Sequence, residues 1–148
     1  MSVHHLQPGD FYEWARMRRI LWPHVTLGEC KREWEIVRRR PSRLAIFVSQ
    51  RRDGQLQGFL EASLRRDYTE GCTTTPVGYV EGWYVAPDAR RKGIGRGLVK
   101  AAEQWAHAKG CREMASDAKL ANRLGQKVHR ALGYIECGTC VHFSKSLR

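Results

Sequence analysis

The chain has 148 residues and a formal net charge of +11, a size that fits one domain spanning residues 1–148 with a substantial core. The positive charge suggests nucleic acid, but the basic residues are scattered and lack an aromatic-basic recognition motif, so that class is disfavoured. Neither a long apolar run nor the apolar core of a signal peptide is present, which predicts a cytoplasmic protein without a membrane span.

Two amphipathic helices are predicted first. Asp10 and Glu13 have the spacing of a capping box, and the helix after them should end at Trp22-Pro23. Thr26 and Glu29 repeat this signature before a second helix that should end ahead of Pro41. Trp22 lies at the turn between the helices, where it is either a core anchor or an aromatic wall of a binding site.

Three strands follow. Leu44 to Ser49 and Leu56 to Leu64 flank an Asp-Gly turn, which predicts an antiparallel hairpin. The polar stretch from Arg65 to Pro76 predicts an exposed loop at the mouth of a site, with Tyr68 either lining that site or covering the sheet end. Val77 to Val85 is the predicted central strand.

The second half of the chain predicts helix, strand, helix and strand. Apolar periodicity indicates a third helix over 94–110, a short strand over 113–117, a fourth helix over 120–132 and a last strand over 134–144. The order of elements predicts an α/β (α+β) fold, in which a mixed central sheet is flanked by about four helices. Glu81 is a carboxylate inside the apolar central strand, so it needs a cationic partner or a catalytic duty, and the next strand ends in a second carboxylate, Asp117.

A basic glycine-rich loop connects the central strand to the third helix. It contains Arg90-x-x-Gly93-x-Gly95, with Arg91, Lys92 and Arg96 nearby. Free backbone N–H groups and the positive end of the helix dipole favour a phosphate at such a start. A nucleoside-triphosphate loop is excluded because no Gly-Lys-Ser/Thr is present, and the spacing does not match a dinucleotide fingerprint.

This loop resembles the acyl-CoA pyrophosphate loop of the GNAT superfamily of N-acetyltransferases, and the order of elements resembles the GNAT fold. Further segments resemble aminoglycoside 6'-N-acetyltransferases, and they span residues 21 to 133. They are Leu21-Trp22-Pro23, Arg66-Asp67-Tyr68 with Gly71-Cys72, Val80-Glu81-Gly82, the stretch from Gly110 to Asp117, and the stretch from Gln126 to Gly133. The resemblance implies acetyl-CoA as donor, an aminoglycoside 6'-amine as acceptor, a role in antibiotic resistance and a homodimer.

The resemblance also implies a set of site residues. The antibiotic would be contacted by Trp22, Tyr68, Glu81 and Asp117. The backbone of Trp83, Tyr84 and Val85 would pair with the pantetheine arm, the pyrophosphate would lie on Arg91, Lys92, Gly93, Ile94, Gly95 and Arg96, and Asn122 would touch the cofactor. A further acidic residue of the family would fall at Gly138, so this chain departs from the pattern there.

The reaction would be direct attack of the amine on the thioester. Glu81 is the candidate general base and Asp117 would orient the amine, unless both acids only bind substrate and solvent takes the proton. A backbone N–H near Tyr84 or Val85 could stabilise the thioester oxygen. His129 stands where many members of the superfamily have a tyrosine that protonates the thiolate, and it is either that acid or a packed side chain.

Cysteine chemistry and metal binding are weaker interpretations. None of the five cysteines has a neighbouring base in the sequence, which argues against covalent catalysis. Cys137-x-x-Cys140 with His142 begins like a zinc knuckle but lacks a second Cys-x-x-Cys pair, so no metal is expected. Two alternative functions stay open at this point: a GNAT enzyme acting on a polyamine, peptide or protein amine, and a basic nucleic-acid-binding module.

Overall fold

The computed structural model describes residues 2–148 and confirms the mixed α/β architecture. One five-stranded sheet is formed by β1 (Ser2–His5), β2 (Leu44–Gln50), β3 (Leu56–Arg65), β4 (Val77–Val85) and β5 (Met114–Ser116). The four α-helices of this range are α1 (Phe11–Leu21), α2 (Leu27–Arg39), α3 (Ile94–Ala108) and α4 (Arg123–Ala131). The strands lie side by side in chain order, and all neighbours are antiparallel except β4 and β5, which are parallel.

Each face of the sheet is covered by an apolar layer. On one face Trp14 and Met17 of α1 pack with Phe59 of β3, and all three are fully buried. On the other face Leu98 of α3 packs with Leu60 of the same strand. Both faces of β3 are therefore covered, which explains why its residues are buried almost throughout.

Two predictions about the chain ends are wrong. Four residues at the N-terminus form β1, which pairs with the edge of β2, although no strand was predicted before the first helix. The segment 134–144 was predicted as a last strand, but from Tyr134 to Arg148 the chain has no helix or strand. Alternating apolar residues do not suffice there, because a strand also requires a partner strand to take up its backbone hydrogen bonds.

One of the two predicted helix caps is confirmed. The Thr26 hydroxyl accepts a hydrogen bond from the Glu29 N–H at 3.1 Å, as the capping signature of α2 predicts. For α1 the predicted start is confirmed, since Asp10 is the N-cap residue, but no capping bond forms, because the Asp10 carboxylate instead accepts from the Gln7 N–H at 2.9 Å. Glu13 accepts the N–H of Leu56 at 2.8 Å and so ties α1 to the start of β3.

β4 and β5 pair only over a short stretch and then separate. Their register runs from Gly78 opposite Met114 to Val80 opposite Ser116, after which β4 continues for five residues without β5 beside it. The opening that results, which we call the fork, extends from Ser116 towards the glycine-rich loop at the start of α3. Between residues 2 and 148, no helix is both long enough and apolar enough to cross a bilayer.

Candidate active site

A β-bulge in the central strand determines where Glu81 lies. Glu61 of β3 pairs with Gly82 and the next residue, Ala62, pairs with Val80, so Glu81 is the extra residue of β4. Such a bulge interrupts the regular alternation of side chains and redirects the one that is not paired. Glu81 is consequently exposed within a strand whose other residues are mostly buried.

Glu81 is held by two residues of β3. The Ser63 hydroxyl donates to Oε2 at 2.5 Å, and the Arg65 guanidinium donates to Oε1 at 2.9 Å and to Oε2 at 3.0 and 3.1 Å. The sequence predicts that this carboxylate has either a cationic partner or a catalytic duty. Arg65 is such a cationic partner. The side chain of Glu81 keeps 36% of its surface exposed, so it can still reach a bound molecule.

Asp117 joins the same group through Tyr79. The Tyr79 hydroxyl donates to Asp117 Oδ2 at 2.6 Å, and the Arg65 guanidinium lies over the Tyr79 ring, 3.4 Å from its centroid. Burial and the hydrogen bond to Asp117 raise the pKa of Tyr79, so the phenol stays a donor. We call Arg65, Tyr79, Glu81 and Asp117 the carboxylate cluster. It places both predicted acids on one surface beside the fork.

Trp22 lies next to this cluster and also packs against the core, with its ring edge on to Phe59. Its indole occupies the space that a Cβ atom would fill at Gly82, so only glycine fits beside Glu81. The Arg18 guanidinium lies 4.8 Å from the centroid of the Trp22 ring and pairs with Glu61 at 2.7 Å. Trp22 is therefore positioned by packing on Gly82 and by the cation beside it.

Arg18 and Glu61 were not identified in the sequence. Glu61 is 6% exposed and also accepts a hydrogen bond from the Trp14 indole at 3.2 Å. Burial raises the pKa of Glu61, against the lowering effect of these donors. The sequence carried the same signal for Glu61 as for Glu81, namely a carboxylate within an apolar strand. The partner of Glu61, Arg18, lies 43 residues away in the chain.

Tyr68 lies on the exposed loop that was predicted, and it is 81% exposed. Its hydroxyl donates a hydrogen bond to Glu70 of the same loop at 2.9 Å. This hydrogen bond is local and does not involve the carboxylate cluster. Glu113 anchors the far end of the loop by accepting the N–H groups of Thr73 and Thr74 at 2.9 and 2.7 Å. An antibiotic contact by Tyr68 stays a prediction.

The glycine-rich loop has the backbone shape that an anion site requires. Gly93 caps α3 with φ of +80°, a left-handed conformation that favours glycine, and Arg91 has φ of +64°. A Cβ at Gly93 would meet nothing within 4 Å, which leaves the loop open on that side. At Gly95 a Cβ would lie 3.0 Å from the Trp83 ring. Bare backbone at a helix start, with several cations nearby, fits a diphosphate.

The strand end between the loop and the cluster fits an extended ligand. Beyond Val80, the β4 backbone from Glu81 to Val85 has no β5 partner. The indole N–H of Trp83 is buried without a hydrogen-bond partner, and the Val85 carbonyl accepts from Arg90 at 3.0 Å. Since buried donors are nearly always satisfied, an unpaired one beside Gly95 supports the expectation that a ligand group belongs nearby.

Asn122, at the start of α4, and His129, within it, both make hydrogen bonds inside the protein. Asn122 caps the helix, because its side-chain oxygen accepts the Gly125 N–H at 2.9 Å, so a cofactor contact by Asn122 remains a prediction beside this structural role. His129 bonds with both ring nitrogens, to the Ser116 hydroxyl at 2.8 Å and to the Gly125 carbonyl at 2.6 Å.

Among residues 2–148, no group of three or more His, Cys, Asp or Glu side chains has the geometry to hold a metal ion. Cys140 and His142 do approach each other, with Sγ 3.4 Å from Nε2, but Cys137 points elsewhere and contacts the Glu70 carbonyl at 3.5 Å. Cys137, Cys140 and His142, which resemble the start of a zinc knuckle in the sequence, are thus not brought together as one ligand set.

Comparisons with known proteins agree with this geometry. Residues 9–134 match the model of the acetyltransferase (GNAT) family. The aminoglycoside N(6')-acetyltransferase type 1 of Klebsiella aerogenes is 40% identical, covering 98% of this chain and 96% of that protein, and its counterpart in Salmonella enteritidis is 36% identical, covering 98% and 99%.

Solved structures give the same result. AAC(6')-Iy in complex with the bisubstrate analog CoA-S-monomethyl-acetylneamine superposes with a TM-score of 0.93 at 34% identity, covering 99% of this chain and 98% of that one. AAC(6')-IG from Acinetobacter haemolyticus has a TM-score of 0.91 at 33% identity, and each chain is covered completely. The chain therefore belongs to the GNAT family of acetyltransferases and, within it, to the aminoglycoside 6'-N-acetyltransferases.

Proposed function

We propose that this enzyme transfers the acetyl group of acetyl-CoA to the 6'-amino group of aminoglycoside antibiotics and thereby confers resistance to them. One observation carries the proposal: the fork between β4 and β5 has the basic glycine-rich loop at one end and two carboxylates, Glu81 and Asp117, at the other. We expect a cytoplasmic location, where acetyl-CoA is made and used.

The donor would lie along the fork. Its diphosphate would be held by the glycine-rich loop, at the residues Arg91, Lys92, Gly93, Ile94, Gly95 and Arg96. Its pantetheine arm would run beside Trp83, Tyr84 and Val85, on the side of β4 that faces away from β3 and has no β5 partner at these residues. This arrangement brings the thioester towards Glu81. It requires no metal ion, since the chemistry is carried by the thioester.

The acceptor is a polycation, and the carboxylate cluster suits it. The four residues of the cluster include two carboxylates and one cation, Arg65, so together they carry excess negative charge. Trp22 beside Gly82 adds an apolar wall against which a sugar ring can pack. Tyr68 would close the site from the loop above.

The net charge of +11 acts at longer range and does not contradict this assignment. Screening limits interactions between exposed charges to about 8 Å at physiological salt. The basic excess would serve the phosphates of CoA, whereas local acids would select the amine. A positive potential measured at Glu81 and Asp117 would overturn this separation.

The reaction would begin with loss of a proton from the ammonium, because only the free amine has a lone pair for attack. Glu81 would take that proton directly or through water, and Asp117, fixed by Tyr79, would orient the amine. A backbone N–H near Tyr84 or Val85 would stabilise the oxyanion that forms on the thioester carbonyl. The remaining rate acceleration would come from holding both reactants close together and correctly oriented at the fork.

We also infer a homodimer. The C-terminal tail from Tyr134 to Arg148 lies exposed without secondary structure. It nevertheless carries several apolar side chains that are more than three-quarters exposed: Ile135 88%, Val141 76%, Phe143 92% and Leu147 89%. A second copy of the chain would bury them, and sedimentation equilibrium of the intact chain would test this; a monomer at micromolar concentration would contradict it.

The proposal is tested by acetyl-CoA consumption over a panel of amines. The panel would contain kanamycin and tobramycin, a polyamine, a peptide with a free N-terminus and a lysine peptide. We expect turnover with the aminoglycosides to exceed that with the other amines, and NMR of the product to place the acetyl group on the 6'-nitrogen. Higher catalytic efficiency with a polyamine or peptide, or acetylation at another nitrogen, would overturn it.

A further inference from the structure

A buried ion pair lies beside Trp22, between α1 and β3. Arg18 Nε donates to Glu61 Oε2 at 2.7 Å and Arg18 Nη2 donates to Oε1 at 3.3 Å, so two hydrogen bonds join the same two side chains. These side chains are only 13% and 8% exposed, and the Trp14 indole also donates to Glu61 at 3.2 Å. The guanidinium is therefore fixed in position and in orientation.

This pair lies within an otherwise apolar layer. Trp14 of α1 and Phe59 of β3, which belong to that layer, are fully buried. Replacing a buried ion pair by apolar side chains is often neutral or stabilising, because removing two charges from water costs as much as their attraction returns. Stability of the core alone therefore does not account for Arg18 and Glu61. What they add to the layer is a cation in a fixed place.

The ring of Trp22 lies against this cation. The Arg18 guanidinium is over the ring, 4.8 Å from its centroid, and the Trp22 N–H donates to the Arg18 carbonyl at 2.9 Å where α1 ends. The outer edge of the indole occupies the space that a Cβ atom would fill at Gly82, and Phe59 meets the ring edge on at 6.4 Å. Since a cation is attracted to the face of an aromatic ring, Arg18 holds the indole against Gly82.

Glu61 also lies opposite the bulge that exposes Glu81. Its backbone pairs with Gly82, and the register of β3 and β4 shifts immediately after it. Side chains alternate along a strand, so Glu61, Ser63 and Arg65 share one face of β3. Ser63 and Arg65 bind the carboxylate of Glu81. The buried pair is thus the inner end of a polar row whose outer end holds the candidate base.

We propose that Arg18 and Glu61 are positioning residues for the acceptor: their ion pair holds the Trp22 ring against Gly82 and so sets the shape of the acceptor site beside Glu81. This inference rests on the acetyl transfer proposed above. Glu61 balances the charge of Arg18, so the support adds no net positive charge that would repel a polycation. Both side chains are almost entirely buried and act through Trp22, so their loss should weaken acceptor binding more than it slows turnover.

The test removes the pair without leaving one charge buried alone. In the double variant Arg18→Met/Glu61→Gln, methionine keeps an unbranched side chain at the first position. Glutamine keeps an acceptor for the Trp14 indole at the second position. The cation over the Trp22 ring is lost. Thermal unfolding verifies that each variant used here folds.

A second variant and a matched control accompany it. Arg18→Lys keeps a cation for Glu61 but lacks the planar guanidinium that lies over the ring, and it replaces the double variant if that protein does not fold. Arg38→Met is the control, because the Arg38 guanidinium lies 5.7 Å from the centroid of the Trp34 ring, one turn away in its own helix. This second cation–ring contact is in α2, outside the proposed site, so its loss should leave the kinetics unchanged.

Steady-state kinetics measure the effect on each substrate. We expect KM for the aminoglycoside to rise by about threefold to thirtyfold without the pair, the range that corresponds to loss of a cation–π contact. KM for acetyl-CoA and kcat should each change by less than about twofold, because only acceptor binding depends on Trp22. A pair that merely stabilised the fold would not separate the two substrates in this way.

A double-mutant cycle with Trp22→Leu tests whether the pair acts through the ring. Leucine keeps an apolar side chain at this place but offers no aromatic face to the guanidinium. In the Trp22→Leu protein, further removal of the pair should change KM for the aminoglycoside by less than about twofold, whereas independent effects would multiply.

NMR gives a readout that does not depend on turnover. An aromatic ring shifts the resonances of protons that lie close to it, and the Gly82 α-protons lie against the Trp22 indole. Their chemical shifts should move towards those of the Trp22→Leu protein when Arg18 and Glu61 are replaced. They should stay at the wild-type values in Arg38→Met.

Several results would overturn the proposal. One is a rise of less than about threefold in KM for the aminoglycoside in the folded variant, and another is an equal rise in KM for acetyl-CoA. The same effect of the pair with and without the Trp22 ring, or unchanged Gly82 shifts, would also reject it. If the wild type acetylates no aminoglycoside, the proposed function fails and the acceptor role fails with it, but the Gly82 shifts still show whether Arg18 holds the ring.

Discussion

The two ends of the fork hold charge in different ways. At the glycine-rich loop the anion site consists of consecutive residues, and its shape comes from backbone conformation, with Gly93 in the left-handed region and Gly95 against Trp83. At the carboxylate cluster the site is assembled from three strands, and Arg65 already neutralises part of the charge. The proposed donor end is therefore set by local sequence, whereas the proposed acceptor end depends on strand register and on a cation, Arg65, that would compete with the substrate.

The largest effect should come from Glu81→Gln at the acceptor end. We expect kcat to fall by about 10²–10⁴-fold because the base is lost, while the amide still bonds to Ser63 and Arg65. Steady-state kinetics would measure this, with the exposed Glu35→Gln as control. Unchanged kcat with a raised KM for the aminoglycoside would instead assign Glu81 to binding alone.

Gly95→Ala should damage the donor end alone. The added methyl would lie 3.0 Å from the Trp83 ring and push the helix start away from the diphosphate. Loss of one charged hydrogen bond, about 1.5–3 kcal/mol, corresponds to a rise of at least about tenfold in KM for acetyl-CoA. Gly9→Ala is the control, since a Cβ there meets nothing within 4 Å. An equal rise in KM for both substrates would mean that the two ends are not independent.

Arg65→Gln should make the acceptor end more attractive to a polycation. This exposed ion pair with Glu81 is worth about 0.2–1 kcal/mol, so KM for the aminoglycoside should fall by up to about fivefold. This decrease in KM should become smaller as the salt concentration rises, because screening weakens the attraction between Glu81 and the polycation. Titration of KM against ionic strength would test this, with Arg38→Gln as control. A raised KM would show that Arg65 assists binding.

The smallest effect concerns the loop that carries Tyr68. Hydrogen bonds from Thr74 and Thr73 lower the pKa of Glu113 below its ordinary value of 4.5. The contacts of ionised Glu113 therefore stabilise the loop fully when the pH is above the ordinary pKa. This stabilisation is lost as the pH falls through the lowered pKa. Amide chemical shifts of Thr73 and Thr74 should therefore titrate with a midpoint below 4.5 in the wild type. Glu113→Gln should abolish that transition, and a midpoint above 4.5 would contradict the assignment.

Much of the fold could be predicted because its signals are local. The hairpin of β2 and β3, the start of α2 at Thr26 and the loop before α3 each depend on residues close in the chain, and the structure confirms them. β1 could not be predicted, since four residues gain their strand structure only by pairing with β2. The tail from Tyr134 to Arg148 is the opposite case. Its alternating apolar residues predict a strand, but no strand forms because no partner strand pairs with it.

By itself the sequence determined the family, the glycine-rich loop before α3 at which we propose that the donor binds, and the presence of carboxylates at Glu81 and Asp117. Only the tertiary structure decided how the acceptor end is built. The bulge that exposes Glu81, the Arg65 clamp, the buried Arg18–Glu61 pair beside Trp22 and the contact of Ser116 with His129 all join residues that are distant in the chain. Such contacts depend on strand register and helix docking, which follow from packing of the whole core and not from any one segment.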